Sequence, residues 1–131
     1  MSKQVQVAVA IIVRGQQVYI TQRQQGQHLA GCWEFQGGKI QSGEPVEQAL
    51  KRELHEEINL QFTACQAFDE ITFSYPEKTV RLFFYLVTDL VNEPQPQEGQ
   101  QGKWCAIADL EVAAFPEANQ PVLLKLQQQF A

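Results

Sequence analysis

The sequence predicts an α+β fold, a mixed β-sheet with two main helices packed against it. Three observations carry this. Apolar residues alternate at Val5, Val7, Val9, Ile11 and Val13, and again at Ile71, Phe73 and Tyr75, the period of a strand. They recur every fourth residue at Val46, Leu50, Leu54 and Ile58, the stripe of an amphipathic helix. The resulting order, two strands, a short strand, a helix, three strands and a helix, interleaves the two periods.

Residues 5–13 read as a half-buried strand with the valines on its buried face. Arg14-Gly15-Gln16-Gln17 turns the chain, and Val18–Thr21 returns as a second strand. A Gln- and Gly-rich loop occupies about 24–32. Trp33-Glu34-Phe35 is a short strand, after which Gly37, Gly38 and Gly43 are expected to break the chain. The helix is expected over 46–58, with Pro45 suited to a first helical position and Asn59 to a left-handed end. Residues 67–75 form a strand, Pro76-Glu77-Lys78 a turn, and Val80–Leu86 a strand covered on both faces. After a Pro-, Gln- and Gly-rich loop at 91–102, a strand runs from Trp104 to Ile107. A second helix runs from Pro121 to Phe130, with Val122, Leu123, Leu126 and Phe130 facing inward.

A chain of 131 residues suffices for one domain, 1–131, with a sizeable core. Its apolar content of 44% excludes a disordered chain. A net charge of −5 argues against a direct nucleic-acid binder, which needs a basic face. Cys32, Cys65 and Cys105 are scattered without metal-ligand spacing and fit a reducing compartment. The polar start Met1-Ser2-Lys3-Gln4 predicts no signal peptide, and no apolar run approaches a membrane span. A cytoplasmic protein, a monomer with no membrane partner, is expected.

The informative segment is the first helix. Glu53, Glu56 and Glu57 lie at i, i+3 and i+4, on one side of the helix beside the apolar stripe. Like charges so placed destabilise a helix by a few tenths of a kcal/mol per pair, and partial burial aggravates the repulsion. A divalent cation relieves it, and carboxylates without a Cys or His cluster suit Mg²⁺ or Mn²⁺. A solvated acidic face is the other reading of the three glutamates alone. The preceding Gly37-Gly38-Lys39-Ile40-Gln41-Ser42-Gly43-Glu44 permits close backbone approach to a ligand or serves as a plain turn. Gly43 is followed by Glu44-Pro45, so this is no P-loop; His55-Glu56-Glu57-Ile58-Asn59 lacks a zincin's second His; no nucleophile elbow is present. His28 by itself reads as a surface histidine, Asn119 as a helix cap, and Phe35, Trp33 and Trp104 as core.

Gly38-x5-Glu44-x7-Arg52-Glu53-Leu54-x-Glu56-Glu57-x-Asn59-Leu60 resembles the box of the Nudix hydrolase family, Gx5Ex7REUxEExGU, at eight of nine fixed positions, spanning 38–60. The departure is Asn59 for Gly, and Asn tolerates that conformation best among the other residues. Beyond the box, Arg23, His28, Glu34-Phe35, Gly37-Gly38-Lys39, Glu98-Gly99-Gln100 and Phe115-Pro116-x-Ala118-Asn119 resemble the family's MutT-like branch. The likeness runs over nearly the whole chain. Gln36 stands where that branch has Pro.

The resemblance implies a Nudix-type α/β/α sandwich. It also implies a Mg²⁺-dependent hydrolase, with Mn²⁺ as a substitute, whose partner is a small-molecule nucleotide. The expected reaction is hydrolysis of 8-oxo-dGTP to 8-oxo-dGMP and pyrophosphate by water attack at the β-phosphorus, which cleans the nucleotide pool and prevents mutations. Carried over residue by residue, the metal ligands are Glu53, Glu56, Glu57, Glu98 and a carbonyl of Gly37 or Gly38. Glu53 or Glu98 takes the water proton. Arg52 and Glu44 form an ion pair between loop and helix, and Lys39 and Arg23 contact phosphates. His28, Glu34, Phe35, Gln36, Gly37 and Asn119 line the nucleotide, with Asn119 and a carbonyl near Phe35 reading the oxidised base. A Nudix pyrophosphatase for another nucleoside diphosphate derivative or a canonical dNTP is an alternative, and a non-catalytic Nudix-like recognition module is another.

Overall fold

The computed structural model describes residues 3–24, 26, 31–97 and 99–130. In chain order they form β1 (Lys3–Arg14), β2 (Gln17–Gln22), β3 (Trp33–Glu34), β4 (Gln36–Lys39), α1 (Val46–Ile58), β5 (Phe62–Ser74), β6 (Lys78–Leu90) and β7 (Gly102–Ala106). Three 3₁₀ turns, at Ile107–Asp109, Val112–Ala114 and Glu117–Asn119, lead to α2 (Gln120–Gln129). The strands join in one mixed sheet of order β3-β2-β1-β6-β5, with β4 on β1 and β7 on β2. Only β1 and β6 run parallel, from Lys3↔Lys78 to Ile12↔Val87; the other pairs are antiparallel.

β1 is the centre of the sheet and is buried on both faces, not half-buried as its valine alternation predicts. Ala8, Ala10 and Ile12 face α1 and are wholly inaccessible; Val9, Ile11 and Val13 face α2. From Ala8 to Ile12 the even positions carry small or apolar residues, and these pack under a helix as well as valine does. β6 is the converse: its apolar run is fully covered at Phe84, Leu86 and Val87, whereas Val80–Phe83 stay half-buried, with Val80 and Leu82 lining a cavity.

α1 packs Ala49, Leu50, Leu54 and Ile58 against that even face, with Tyr19 and Val87. Burying each large side chain is worth about 1.5–3 kcal/mol. α2 packs Val122, Leu123 and Leu126 on the opposite face with Val18, Ile20, Phe84 and Leu86. The result is the expected α/β/α sandwich. Pro45 is the residue before the first helical turn, not in it: its ψ of 151° is extended, and its carbonyl accepts the first helical bond from Ala49 at 3.0 Å. Asn59 is left-handed (φ 51°), and the Leu60 N–H closes back on the Leu54 carbonyl at 3.1 Å.

Gly37 and Gly38 do not break the chain. They belong to β4, paired with Val9 and Ala8. A side chain at Gly37 would collide with the Ala8 carbonyl, and one at Gly38 with the Glu53 carboxylate. The glycines thus let a strand pass close between β1 and α1, a packing constraint that local sequence does not reveal. Strand β7 lies about two residues earlier than read, because Ile107 opens a 3₁₀ turn.

Gly37→Ala is therefore expected to destabilise the protein by about 1–3 kcal/mol, the cost of overpacking a tight contact. Chemical denaturation checks this, and an unchanged midpoint would show that β4 can move aside freely.

Candidate active site

The site begins with Arg52, on the second turn of α1. Its Nε and Nη2 donate to the two oxygens of Glu44, both at 2.9 Å. Nη2 also donates to the Lys39 carbonyl at 3.0 Å, and Nη1 to Glu53 Oε1 at 2.8 Å. Glu44 in turn accepts the Gln41 N–H at 3.0 Å, closing the loop ahead of the helix. The planar guanidinium suits this fork-like pairing, which lysine could not reproduce. Hydrogen bonding from Arg52, then from Gln41, holds the Glu44 carboxyl down at about 2, and the same Glu44 bonds push the Arg52 guanidinium further up.

Glu53 is 9% exposed. A carboxylate so buried needs partners, and it has Arg52 on one side and the bare backbone of Gly38 on the other. Glu57, one turn on, is half-buried and lines a polar cavity of about 130 Å³ with Thr21, Gln22, Gln24, Glu34, Gln36, Gly37 and Gln100. Glu56 is exposed, its carboxylate 3.7 Å from Arg52 Nη1. The partial burial expected of the acidic stripe thus holds for Glu53 and Glu57 and not for Glu56.

Glu34 and Gly37 also line a second, larger cavity of about 290 Å³. Its walls are Val7, Val9 and Phe35 from the sheet, Phe73, Tyr75, Val80 and Leu82 from the β5–β6 hairpin, and Pro116, Ala118 and Asn119 ahead of α2. Arg23 crosses its mouth, with Nε 2.7 Å from Glu34 Oε2. Burial raises the Glu34 carboxyl, and Arg23 pulls it back down. An apolar cavity with a few convergent polar groups has the character of a small-molecule site.

Asn119 stands at the cap position of α2 without capping it. Its backbone is helical (φ −90°, ψ −15°) and its side chain makes no capping bond. The cap reading fails because the Glu117–Asn119 turn runs straight into the helix, and the residue faces the cavity instead. Phe35 is both core and wall: it is 5% exposed, packs on Phe115 at 5.4 Å between ring centroids, and lines the larger cavity. Gln36 is buried and donates to the Thr21 hydroxyl beside the polar cavity.

Arg23, Glu34, Phe35, Gln36, Gly37, Glu57 and Asn119 are thus brought to two adjoining cavities, with Glu53 alongside. Lys39 is not: it ends β4 with an exposed side chain and lines neither cavity, while its carbonyl serves Arg52. His28 and Glu98 lie outside the described residues. The hairpin wall, Phe73, Tyr75, Val80 and Leu82, went unread as site. Alternation marks these residues as strand but does not say which cavity a strand face meets; the 44% exposure of Tyr75 beside a turn becomes visible only in three dimensions.

The family model for the NUDIX domain matches residues 8–125, and the chain belongs to the Nudix family. The 8-oxo-dGTP diphosphatase of Haemophilus influenzae is 41% identical to it, covering 96% of this chain and 94% of the relative. The 8-oxo-dGTP diphosphatase of Escherichia coli is 39% identical, covering 95% and 98%. A solved structure of MutT, from work on the psychrophile fish pathogen Aliivibrio salmonicida and the mesophile Vibrio cholerae, superposes with a TM-score of 0.83 at 40% identity, covering 97% and 99%.

Nudix hydrolases generally need a divalent metal, and the donors here fit one. They are the hard carboxylate oxygens of Glu53, packed on the Gly38 backbone, and of Glu57 at the polar cavity. Among the described residues, no three acidic, His or Cys side chains are gathered tightly enough to cage an ion by themselves. Among the described residues no helix is long and apolar enough to cross a membrane.

Because Glu44 sits at about 2 in the folded chain and near 4.3 when unfolded, folding favours its ionised form. The stability it lends is complete above about pH 4.5 and is lost as pH falls through about 2. A carbon-detected NMR titration is expected to place the Glu44 midpoint near 2, and Arg52→Gln is expected to return it toward the ordinary carboxylate range. An unmoved midpoint in that variant would separate the shift from Arg52.

Proposed function

We propose that this protein is a Mg²⁺-dependent diphosphatase that hydrolyses 8-oxo-dGTP to 8-oxo-dGMP and pyrophosphate, keeping the oxidised nucleotide from being incorporated into DNA. The observation that carries this is the joining of two cavities through Glu34 and Gly37, one apolar with an uncapped Asn119, the other polar beneath the Nudix helix. The diphosphatases named above, alike over nearly the whole chain, support the same substrate.

In this reading the base enters the apolar cavity and the phosphates lie over the polar one. Oxidation gives guanine a C8 carbonyl and an N7 proton. Asn119 offers both a donor and an acceptor to the purine edge, and a backbone carbonyl near Phe35 accepts the N7 proton. Arg23 offsets phosphate charge at the mouth. The Glu53 carboxylate, oriented by Arg52, accepts a proton from the attacking water, with Glu98 as the other candidate. Glu53, Glu56, Glu57, Glu98 and a Gly37 or Gly38 carbonyl are the groups that would hold Mg²⁺. When bound, the ion supplies charge neutralisation of the triphosphate and activation of water. Without it an acidic site would repel its own substrate.

The deciding experiment measures monophosphate and pyrophosphate released from 8-oxo-dGTP, dGTP and ADP-ribose across Mg²⁺ concentrations. Selective, Mg²⁺-dependent turnover of 8-oxo-dGTP is expected, with loss of activity in chelator. Turnover spread evenly over the three would discard the pool-cleaning role. Glu53→Gln and Glu57→Gln are each expected to lower kcat by about 10²-fold or more with the fold intact. Near-normal turnover in both would sink the metal-site assignment. Asn119→Ala is expected to erode preference for the oxidised base more than the rate; equal losses on dGTP and 8-oxo-dGTP would refute its role.

A further inference from the structure

The chain between β6 and β7 is strapped to the C-terminal end of α1. The Gln97 N–H donates to the Glu57 carbonyl at 3.1 Å, and the Gln95 N–H to the Ile58 carbonyl at 2.7 Å. These are carbonyls that a helix end leaves without an internal partner. The strap reads Glu93-Pro94-Gln95-Pro96-Gln97. Its prolines restrict the backbone to extended conformations and lack N–H groups, so the donors that remain alternate.

Asn92 and Asn59 fix where the strap lands. Asn92 Oδ1 accepts the Gln61 N–H at 2.9 Å, and its Nδ2 donates to the Asn59 carbonyl at 2.7 Å. Asn59 Nδ2 reaches back to Gln95 Oε1 at 3.3 Å. Glycine, the family's residue at this box position, would fit the left-handed turn but has no side chain to make that reach. Beyond the strap, the Gln101 carbonyl is held by the Gln22 N–H at 2.9 Å, and Gln100 lines the polar cavity opposite Glu57. Gln97 is thus held to α1 and Gln101 to β2, on either side of Gln100.

We propose that Asn92 and Asn59 are positioning residues for the hydrolysis: by seating the 91–97 strap on the end of α1, they set the Gln100 wall of the polar cavity against Glu57. The proposal rests on the function given above. It makes the departure at Asn59 a working part of this chain.

The test compares wild type, Asn92→Ala and Asn59→Gly by steady-state kinetics on 8-oxo-dGTP, thermal melting, and amide exchange at Gln95 and Gln97 in the free protein. Asn92→Ala removes several hydrogen bonds and is expected to lower kcat about tenfold, with KM within about twofold. Exchange at both amides is expected to accelerate about tenfold. Asn59→Gly keeps the turn, so a smaller fall in kcat is expected with melting at or above wild type, which a folding defect cannot produce. Unchanged exchange in Asn92→Ala would show that Asn92 does not hold the strap. Faster exchange with unaltered kcat would show that the strap positions nothing. A wild type inert toward the nucleotide overturns the function and the kinetic half of this proposal together, while exchange still decides the strap.

Discussion

A single guanidinium shared among Glu44, Glu53 and the Lys39 carbonyl holds the Nudix-box half of this protein together. Each partner lies on a different piece of chain: the loop before α1, α1 itself, and the end of β4. Without the cation, Glu53 would be a buried carboxylate beside two others of like sign, an arrangement that disfavours the helix. With it, loop, helix and strand become one unit, and the stripe is partly neutralised before any metal arrives. Of the other two carboxylates, Glu56 is exposed and Glu57 lines the polar cavity.

That unit can close only because β4 has no side chains at Gly37 and Gly38. The strand run from Trp33 to Lys39 is wedged between diverging neighbours, pairing with β2 at Glu34 and with β1 at Gly37. Its two sides therefore serve different helices. Phe35 joins the core under α2, while Gln36 is buried beside Thr21 and the polar cavity that includes Glu57 of α1. Glu34 and Gly37 belong to both cavities. Two cavities built from opposite layers of a sandwich thus share a wall a few residues long.

How much of this was legible depends on whether the signal is local. The extent of α1, its left-handed end at Asn59, and the burial of Leu50, Leu54 and Ile58 follow from a period and a cap, and the sequence carries both. The box marks its carboxylates by spacing alone. By contrast, the double burial of β1, the strand at Gly37-Gly38 and the aromatic wall at Phe73 and Tyr75 depend on which element lies across the sheet. No window of a few residues encodes that. Glu56 illustrates the limit: it shares the helical side of Glu53 and Glu57, yet it is exposed.

Asn119 shows what such a site costs the fold. An Asn at the start of a helix ordinarily contributes about 0.5–2 kcal/mol by bonding a free backbone N–H. Here the residue sits at that position, with the right chemistry, and makes no such bond. Pro121 lessens the loss, since a proline in the first turn removes one of the N–H groups that would need a cap. Asn119 is left to line the apolar cavity, whose other polar walls are the paired Arg23 and Glu34. The 3₁₀ turn that runs into α2 gives Asn119 a helical backbone, and its side chain faces the cavity in place of a capping role. The base-reading role proposed for Asn119 uses that carboxamide, which offers both a donor and an acceptor to a purine edge.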